Sequence, residues 1–285
     1  MVLWLAERLA TEGHRAAILT RGYRAKTDAG AGAKMMPDEA AMLQQRLGDR
    51  AQLGVGKDRY SSGRALEQQG ARWFILDDGF QHLALARDAN VVLVDAMDPF
   101  GGGRMLPAGS LREPRAALGR ADIVVITRAD HAPAVEAILR RFTQAPIFYA
   151  HTELESISRL PQMTEELPAA DREKVQFLAF CGIGNPAAFF YDLRRWGVQV
   201  AGERTFRDHH HYTPSDMRKL ERRAATAGAG AMICTEKDVF NLGGAAEKTL
   251  LPVYACRIRL VLPQADAFWS AVLTAVQRNK VAVAP

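Results

Sequence analysis

The stretch WFILDDGFQH, residues 73 to 82, decides how the rest of the chain is read. Its apolar start predicts a short buried strand, and Asp77 and Asp78 stand at the C-terminal end of that strand, before a glycine turn. In an open parallel sheet this end faces the crevice where ligands bind, and a carboxylate there can hold Mg²⁺ directly or through water. The arrangement is Walker-B-like. A plain Asp-Asp-Gly turn leaving a strand fits the same residues, although Phe80, Gln81 and His82 are unusual in a simple turn.

Runs of the same kind recur along the chain: AAILT (16–20), VVLV (91–94), IVVI (123–126), FLAF (177–180), MICT (232–235) and VYACRIRLVL (253–262). Separated by segments with apolar residues at helical spacing, they predict an α/β fold with a mainly parallel sheet covered by helices on both faces. The polar stretch between IFYA (147–150) and VQFLAF (175–180), with Pro161, Pro168 and several glutamates, reads as a connection. It divides the chain near residue 165 into a larger unit, 1–165, and a second, smaller α/β domain, 166–285. Helix starts are expected at Asn185-Pro186 and at Thr213-Pro214-Ser215-Asp216, where a capping side chain precedes proline.

The chain opens inside an amphipathic helix, with Leu3, Leu5, Ala6 and Leu9 on one side and no strand before it. In nucleotide-binding sheets the strand and loop expected there cradle the phosphates with backbone N–H groups and the positive end of the helix. No G-x-x-x-x-G-K-[ST] occurs in the 285 residues.

Composition narrows the class. With 48% hydrophobic and 24% charged residues, the chain reads as a soluble globular protein, and no stretch approaches the roughly 20 apolar residues that span a bilayer. MVLWLAERLA lacks the features of a secretory signal, so a cytoplasmic address is expected. Cys181, Cys234 and Cys256 are odd in number and widely spaced, against a disulfide framework or a paired-cysteine zinc site. A formal charge of +5 and pI near 9.2 suit an anionic partner: a nucleotide, a phosphorylated lipid, an acidic membrane surface or nucleic acid. An ordinary solvated basic surface gives the same numbers.

Three further constellations could carry chemistry. Asp38-Glu39 opens a predicted helix, where acidic residues either cap or divide labour between a metal and a proton. FRDHHHYTP (206–214) holds three consecutive histidines. Consecutive residues rarely converge on one metal, so a single pair, Asp208 with His209, is the preferred reading over a zinc site. Two glycine-bearing loops follow strands, FGGGRMLPAGSLREP (100–114) and CGIGNP (181–186); the first brings Arg104 and Arg112, suited to bidentate phosphate contacts. Arg21-Gly22-Tyr23 at the end of AAILT and TEKD (235–238) are either strand exits or contacts at the same crevice.

Taken in order, RGY (21–23), DE (38–39), VGKDR (55–59), DDGFQH (77–82), GRMLPAGSLREP (103–114), GIGNP (182–186), FRDHHHYT (206–213) and TEKD (235–238) resemble the tetraacyldisaccharide 4'-kinase family of the lipid A pathway. The resemblance runs from residue 2 to about residue 262. It implies a P-loop-kinase-like core over 1–165 and ATP- and Mg²⁺-dependent phosphorylation of the 4'-hydroxyl of a tetraacyldisaccharide 1-phosphate. It implies a peripheral protein on the cytoplasmic face of the inner membrane, with that membrane surface and no nucleic acid as partner. By matching position, Asp38 would be the base near the sugar hydroxyl, supported by His209 with Asp208. Glu39 and Asp77, with Asp78 beside them, would serve the metal and its water shell. Arg21, Arg59, Arg104 and Arg112 would bind phosphates of ATP or lipid, and Asp78 is counted with them at the nucleotide site. The family also carries an N-terminal membrane helix and a GGTGKTP loop, and this chain starts just after that point. Pro37 stands where the family tends to have glycine. The alternative is a protein of the same fold that binds lipid or nucleotide without turnover.

Overall fold

The computed structural model describes residues 1–22, 36–128, 130 and 132–282. In chain order the main elements are α1 (Val2–Thr11), β1 (Ala16–Thr20), α2 (Asp38–Leu47), β2 (Ala51–Val55), α3 (Arg59–Gln68), β3 (Trp73–Leu76), β4 (Val91–Asp95), β5 (Ile123–Thr127), α4 (Ala132–Leu139), β6 (Ile147–Tyr149) and β7 (His151–Arg159). There follow β8 (Gln176–Cys181), α5 (Pro186–Arg195), β9 (Gln199–Thr205), α6 (Pro214–Ala227), β10 (Ala231–Thr235), α7 (Glu236–Leu242), β11 (Val253–Val261) and α8 (Ala265–Ala282). The α/β class and the parallel pairing expected from the sequence are those observed. Tyr23 of the RGY motif lies outside the described residues.

Two compact units form: Met1–Ile75 with Leu154–Arg259, and Leu76–Glu153 with Leu260–Pro285. The chain therefore crosses between units near 75, 153 and 259, and the division expected near residue 165 coincides with none of these crossings. The stretch after IFYA, read as a connection, begins with strand β7. Its buried positions include Thr152, Ser156 and Ser158, polar residues that hide a strand from a hydrophobic pattern.

The first unit contains a sheet of order β2-β1-β3 and another of order β7-β11-β10-β8-β9. All five residues of β1 are buried, as a strand covered on both faces requires. The β10–β11, β10–β8 and β8–β9 pairs are parallel, with Phe177, Leu178, Met232 and Ile233 fully inaccessible. Helix starts follow the local chemistry. The Asn185 side chain accepts from Ala188 N before α5, and Thr213 forms a capping box with Asp216 before α6, each with proline at the start of the helix. Thr235 and Asp238 form a second capping box before α7.

The second unit is built on β4-β5-β6, parallel throughout. Val94, Ile126, Val135 and Leu139 share its core. Phe148 of β6 meets Phe268 of α8 edge to face, with ring centroids 5.5 Å apart, and Arg278 of α8 pairs with Asp122.

Candidate active site

In the first unit, three segments distant in sequence bring polar side chains together at the start of α2: Asp38-Glu39 itself, Asp208-His209, and Lys237 with Asn241. Pro37 precedes the helix, so Asp38 and Glu39 occupy its first turn, at the positive end of the helix dipole. The Asp38 carboxylate is buried. His209 Nδ1 lies 2.9 Å from its Oδ2 and 3.1 Å from its Oδ1. Asn241 Nδ2 donates to Oδ2 at 2.8 Å, and the Glu39 backbone N–H donates to Oδ1 at 2.8 Å. Burial pushes the Asp38 carboxyl up, but the hydrogen bonds from Asn241 and His209 and the positive charge of Lys237 outweigh it and hold the group below its ordinary value.

The histidine run separates as backbone geometry requires. His209 turns to Asp38, His210 Nε2 lies 3.2 Å from Asp216, and His211 is exposed. His209 itself adopts φ +57, a left-handed conformation uncommon outside glycine. Its backbone N–H donates to Gly182 O at 3.0 Å and to its neighbour Asp208 Oδ1 at 3.0 Å. Backbone strain of this kind concentrates at functional sites. The hydrogen-bonded partner of His209 is thus Asp38, whereas Asp208, preferred from sequence adjacency, has its Oδ2 3.6 Å from His209 Nε2, an ion-pair distance rather than a hydrogen bond.

Asp208 has another contact. Lys237 Nζ joins it to Glu39, at 3.3 Å and 3.0 Å respectively. Burial pushes the Lys237 ammonium down, and the carboxylates of Glu39 and Asp208 more than reverse that. Lys237 and Asn241 lie one turn apart on α7, so they share a face, and that face meets Glu39 and Asp38 in order. Neither was singled out from the sequence. TEKD flagged the neighbourhood of Lys237, while nothing local marked Asn241.

Asp238 explains why α7 is held so firmly. Its fully buried carboxylate accepts from Gly182 N at 2.9 Å and Tyr212 O–H at 2.7 Å through Oδ1. Through Oδ2 it accepts from Thr235 Oγ1 at 2.6 Å and, more distantly, Thr235 N at 3.3 Å. One side chain therefore ties the GIGNP loop and the histidine loop to the start of α7. Gly182 suits this junction, because a Cβ there would sit a tight 3.0 Å from Arg207 O and 3.2 Å from His210 Cβ.

Arg21 follows β1 and is exposed, and Arg59 opens α3 and is buried. The remaining candidates belong to the second unit. Asp77 is half-buried just beyond β3, and Asp78 adopts φ +46. Gly79 follows it where a Cβ would come within 2.6 Å of Leu76 Cβ, so glycine is what this turn demands after the two aspartates. Arg112 Nη1 pairs with Asp78 Oδ2 at 2.6 Å, both largely exposed. Arg104 is exposed at the base of a loop closed by Leu111 N–H donating to Arg104 O at 3.1 Å. Among the described residues, no group of three or more His, Cys, Asp or Glu side chains is placed to hold a metal ion, and no helix is long and apolar enough to cross a membrane.

The family model for LpxK, tetraacyldisaccharide-1-P 4'-kinase, matches residues 1–277. The chain belongs to this family. A tetraacyldisaccharide 4'-kinase of Anaeromyxobacter sp. (strain K) is 38% identical over 301 residues, covering 99% of this chain and 78% of that protein. One from Geobacter sulfurreducens is 38% identical over 269 residues, covering 90% and 73%. Among solved structures, the LpxK of Aquifex aeolicus, determined in complex with ATP, superposes with a TM-score of 0.67 at 27% identity, covering 96% of this chain and 82% of that one. The tetraacyldisaccharide-1-P 4'-kinase family is one of kinases, so the chain is a phosphotransferase. Its α/β architecture is that of the Aquifex relative.

Proposed function

We propose that this protein transfers the γ-phosphoryl group of ATP to the 4'-hydroxyl of a tetraacyldisaccharide 1-phosphate, a step of lipid A biosynthesis. The observation that carries the reading is the buried Asp38 carboxylate with His209 Nδ1 at 2.9 Å. Phosphoryl transfer asks the protein mainly for positioning, charge stabilisation and a proton acceptor for the attacking hydroxyl. Asp38 is that acceptor: the sugar hydroxyl proton passes to its carboxylate as the new O–P bond forms and the bond from the γ-phosphorus to the bridging oxygen breaks, leaving ADP. An ionised carboxylate cannot donate, so His209 Nδ1 carries the hydrogen between them and orients Asp38. Asp208 stands behind His209 and, through Lys237, is linked to Glu39.

Glu39 in the first unit, and separately Asp77 and Asp78 in the second, are carboxylates of the hard oxygen type that Mg²⁺ takes, one or two at a time together with substrate phosphates. When bound, the ion neutralises charge on those phosphates. Arg21, Arg59, Arg104 and Arg112 are the groups for phosphate oxygens of ATP or lipid, as rigid bidentate donors. The surplus of positive charge, +5 over the chain, favours an anionic membrane surface, and we place the protein peripherally on the cytoplasmic face of the inner membrane.

The test is incubation of the purified chain with radiolabelled ATP, Mg²⁺ and tetraacyldisaccharide 1-phosphate in detergent. Label in a bisphosphorylated lipid is the expected result. Lipid or nucleotide binding with no transfer of label overturns the kinase reading in favour of a non-catalytic binder of the same fold.

A further inference from the structure

Asn241 belongs to no motif, yet among the described residues it joins His209 in hydrogen-bonding to the Asp38 side chain. Its Nδ2 donates to Oδ2 at 2.8 Å, and both residues are buried. A side-chain amide nitrogen only donates, so this contact matches the acceptor-only, ionised form of the carboxylate. Oδ2 thus faces two nitrogens, Asn241 Nδ2 and His209 Nδ1. Oδ1 faces the Glu39 N–H at 2.8 Å and the same imidazole nitrogen at 3.1 Å. The carboxylate plane is gripped from α7 on one side and from the histidine loop on the other.

The terminal torsion of an aspartate is broad and roughly two-fold, and the side chain alone sets no fixed plane for its oxygens. His209 reaches both oxygens through one nitrogen and so leaves rotation about that contact open. Asn241 bonds one oxygen only and selects one orientation. Its own position is rigid: its backbone carbonyl accepts from Tyr212 N at 3.0 Å, and the helix that carries it is fastened by the fully buried Asp238.

We infer that Asn241 is a positioning residue for the phosphoryl-transfer reaction, fixing the plane of the Asp38 carboxylate so that a lone pair of Oδ1 meets the acceptor hydroxyl. This rests on the reading of Asp38 as the proton acceptor. Asn241 acts on Asp38 and not on either substrate, so its removal lowers kcat and leaves KM in place. Misplacement of a reacting group by about 1 Å costs on the order of 100-fold in rate, which sets the scale at about 10- to 100-fold.

The experiment measures kcat, KM for ATP, KM for the lipid and the thermal midpoint for the unaltered chain, Asn241→Ala, Asn241→Leu, Asp38→Asn and the double variant Asp38→Asn/Asn241→Ala. Expected are the stated fall in kcat for both Asn241 variants, KM values within about twofold, and a thermal midpoint only a few degrees lower, as the loss of one buried hydrogen bond allows. In the double variant Asn241→Ala adds no further loss, because a group that acts through Asp38 has nothing left to act on. Full kcat in Asn241→Ala, or losses that multiply in the double variant, overturns the inference while the base reading stands. Full turnover in Asp38→Asn, or none in the unaltered chain, overturns the base reading itself and the inference with it.

Discussion

His209 Nδ1 and the Asp38 carboxylate, 171 residues apart in sequence, meet at 2.9 Å inside one compact unit. His209 has a left-handed backbone there, φ +57, and its ring meets α2 through Nδ1 while Nε2 stays 3.6 Å from Asp208 Oδ2. A group that orients and supports a general base contributes through that base, and general acid–base catalysis is worth about 10²- to 10⁴-fold. His209→Ala should therefore lower kcat by about 100-fold, with Asp38→Asn at least as severe. Steady-state turnover of the two variants decides this, and a His209→Ala enzyme within a factor of two of the parent would remove the histidine from the mechanism.

Asp238 should prove to be a stability residue. Asn is its isostere, but the amide would turn an N–H₂ toward either Gly182 N or Thr235 N, leaving buried donors facing donors. Unsatisfied buried groups cost about 1–3 kcal/mol each, and a loss in that range lowers the melting temperature by about 2–4 °C per kcal/mol in a protein of this size class. The pH dependence has a definite sign. Burial raises the Asp238 carboxyl above its ordinary value, against the hydrogen bonds from Thr235, Tyr212 and Gly182. The stability it contributes is fully present below the unfolded value of 3.8 and declines as pH rises through the native one. Denaturant unfolding of parent and Asp238→Asn across the acid range should show a difference that shrinks with rising pH; a constant or widening difference contradicts it.

Much of this could be read from residues. The strands AAILT, IVVI, FLAF and MICT announced themselves as unbroken apolar runs, and Asn185-Pro186 and Thr213-Pro214 marked helix starts by capping chemistry that is purely local. Strand β7 was hidden because polar side chains fill several of its buried positions. The interleaved units were hidden because no composition shift accompanies a crossing at the end of β3, between Ile75 and Leu76. At the site, Asp38 and His209 were visible as residue types. The roles of Lys237 and Asn241 appear only when α7 packs beside α2, because their one-turn spacing has meaning only against the adjacent pair Asp38-Glu39. Asp208, adjacent in sequence, keeps its Oδ2 3.6 Å from His209 Nε2, whereas the carboxylate hydrogen-bonded to the ring, Asp38, lies 171 residues away with no local signal linking the two.

Arg112 should separate from these residues in its effect. Its pair with Asp78 at 2.6 Å is solvent-exposed on both sides, and exposed pairs contribute little to stability. Arg112→Gln should leave the thermal midpoint unchanged while raising KM for ATP or for the lipid phosphate. A variant that melts early with unchanged kinetics would make Arg112 a structural residue of the loop instead.

The three cysteines should be chemically silent until the protein unfolds. All three are buried. Burial pushes the Cys181 thiol up to about 12, with the Asp238 carboxylate adding to the effect. Burial likewise raises Cys234 and Cys256, assisted by Asp238 at the first and Asp192 at the second. The thiolate is the reacting species, and near neutral pH these sites hold almost none. A thiol reagent added to the folded chain should label no cysteine over a time in which the denatured chain takes up three equivalents. Cys181 is the informative member, because it ends β8 directly before Gly182, whose N–H donates to Asp238 at 2.9 Å. Labelling at Cys181 should therefore rise in step with the opening of the Asp238 junction, and Asp238→Asn should accelerate it more than it accelerates labelling of Cys256. Equal acceleration at both sites would mean that the unit opens only as a whole, and that the junction has no local stability of its own.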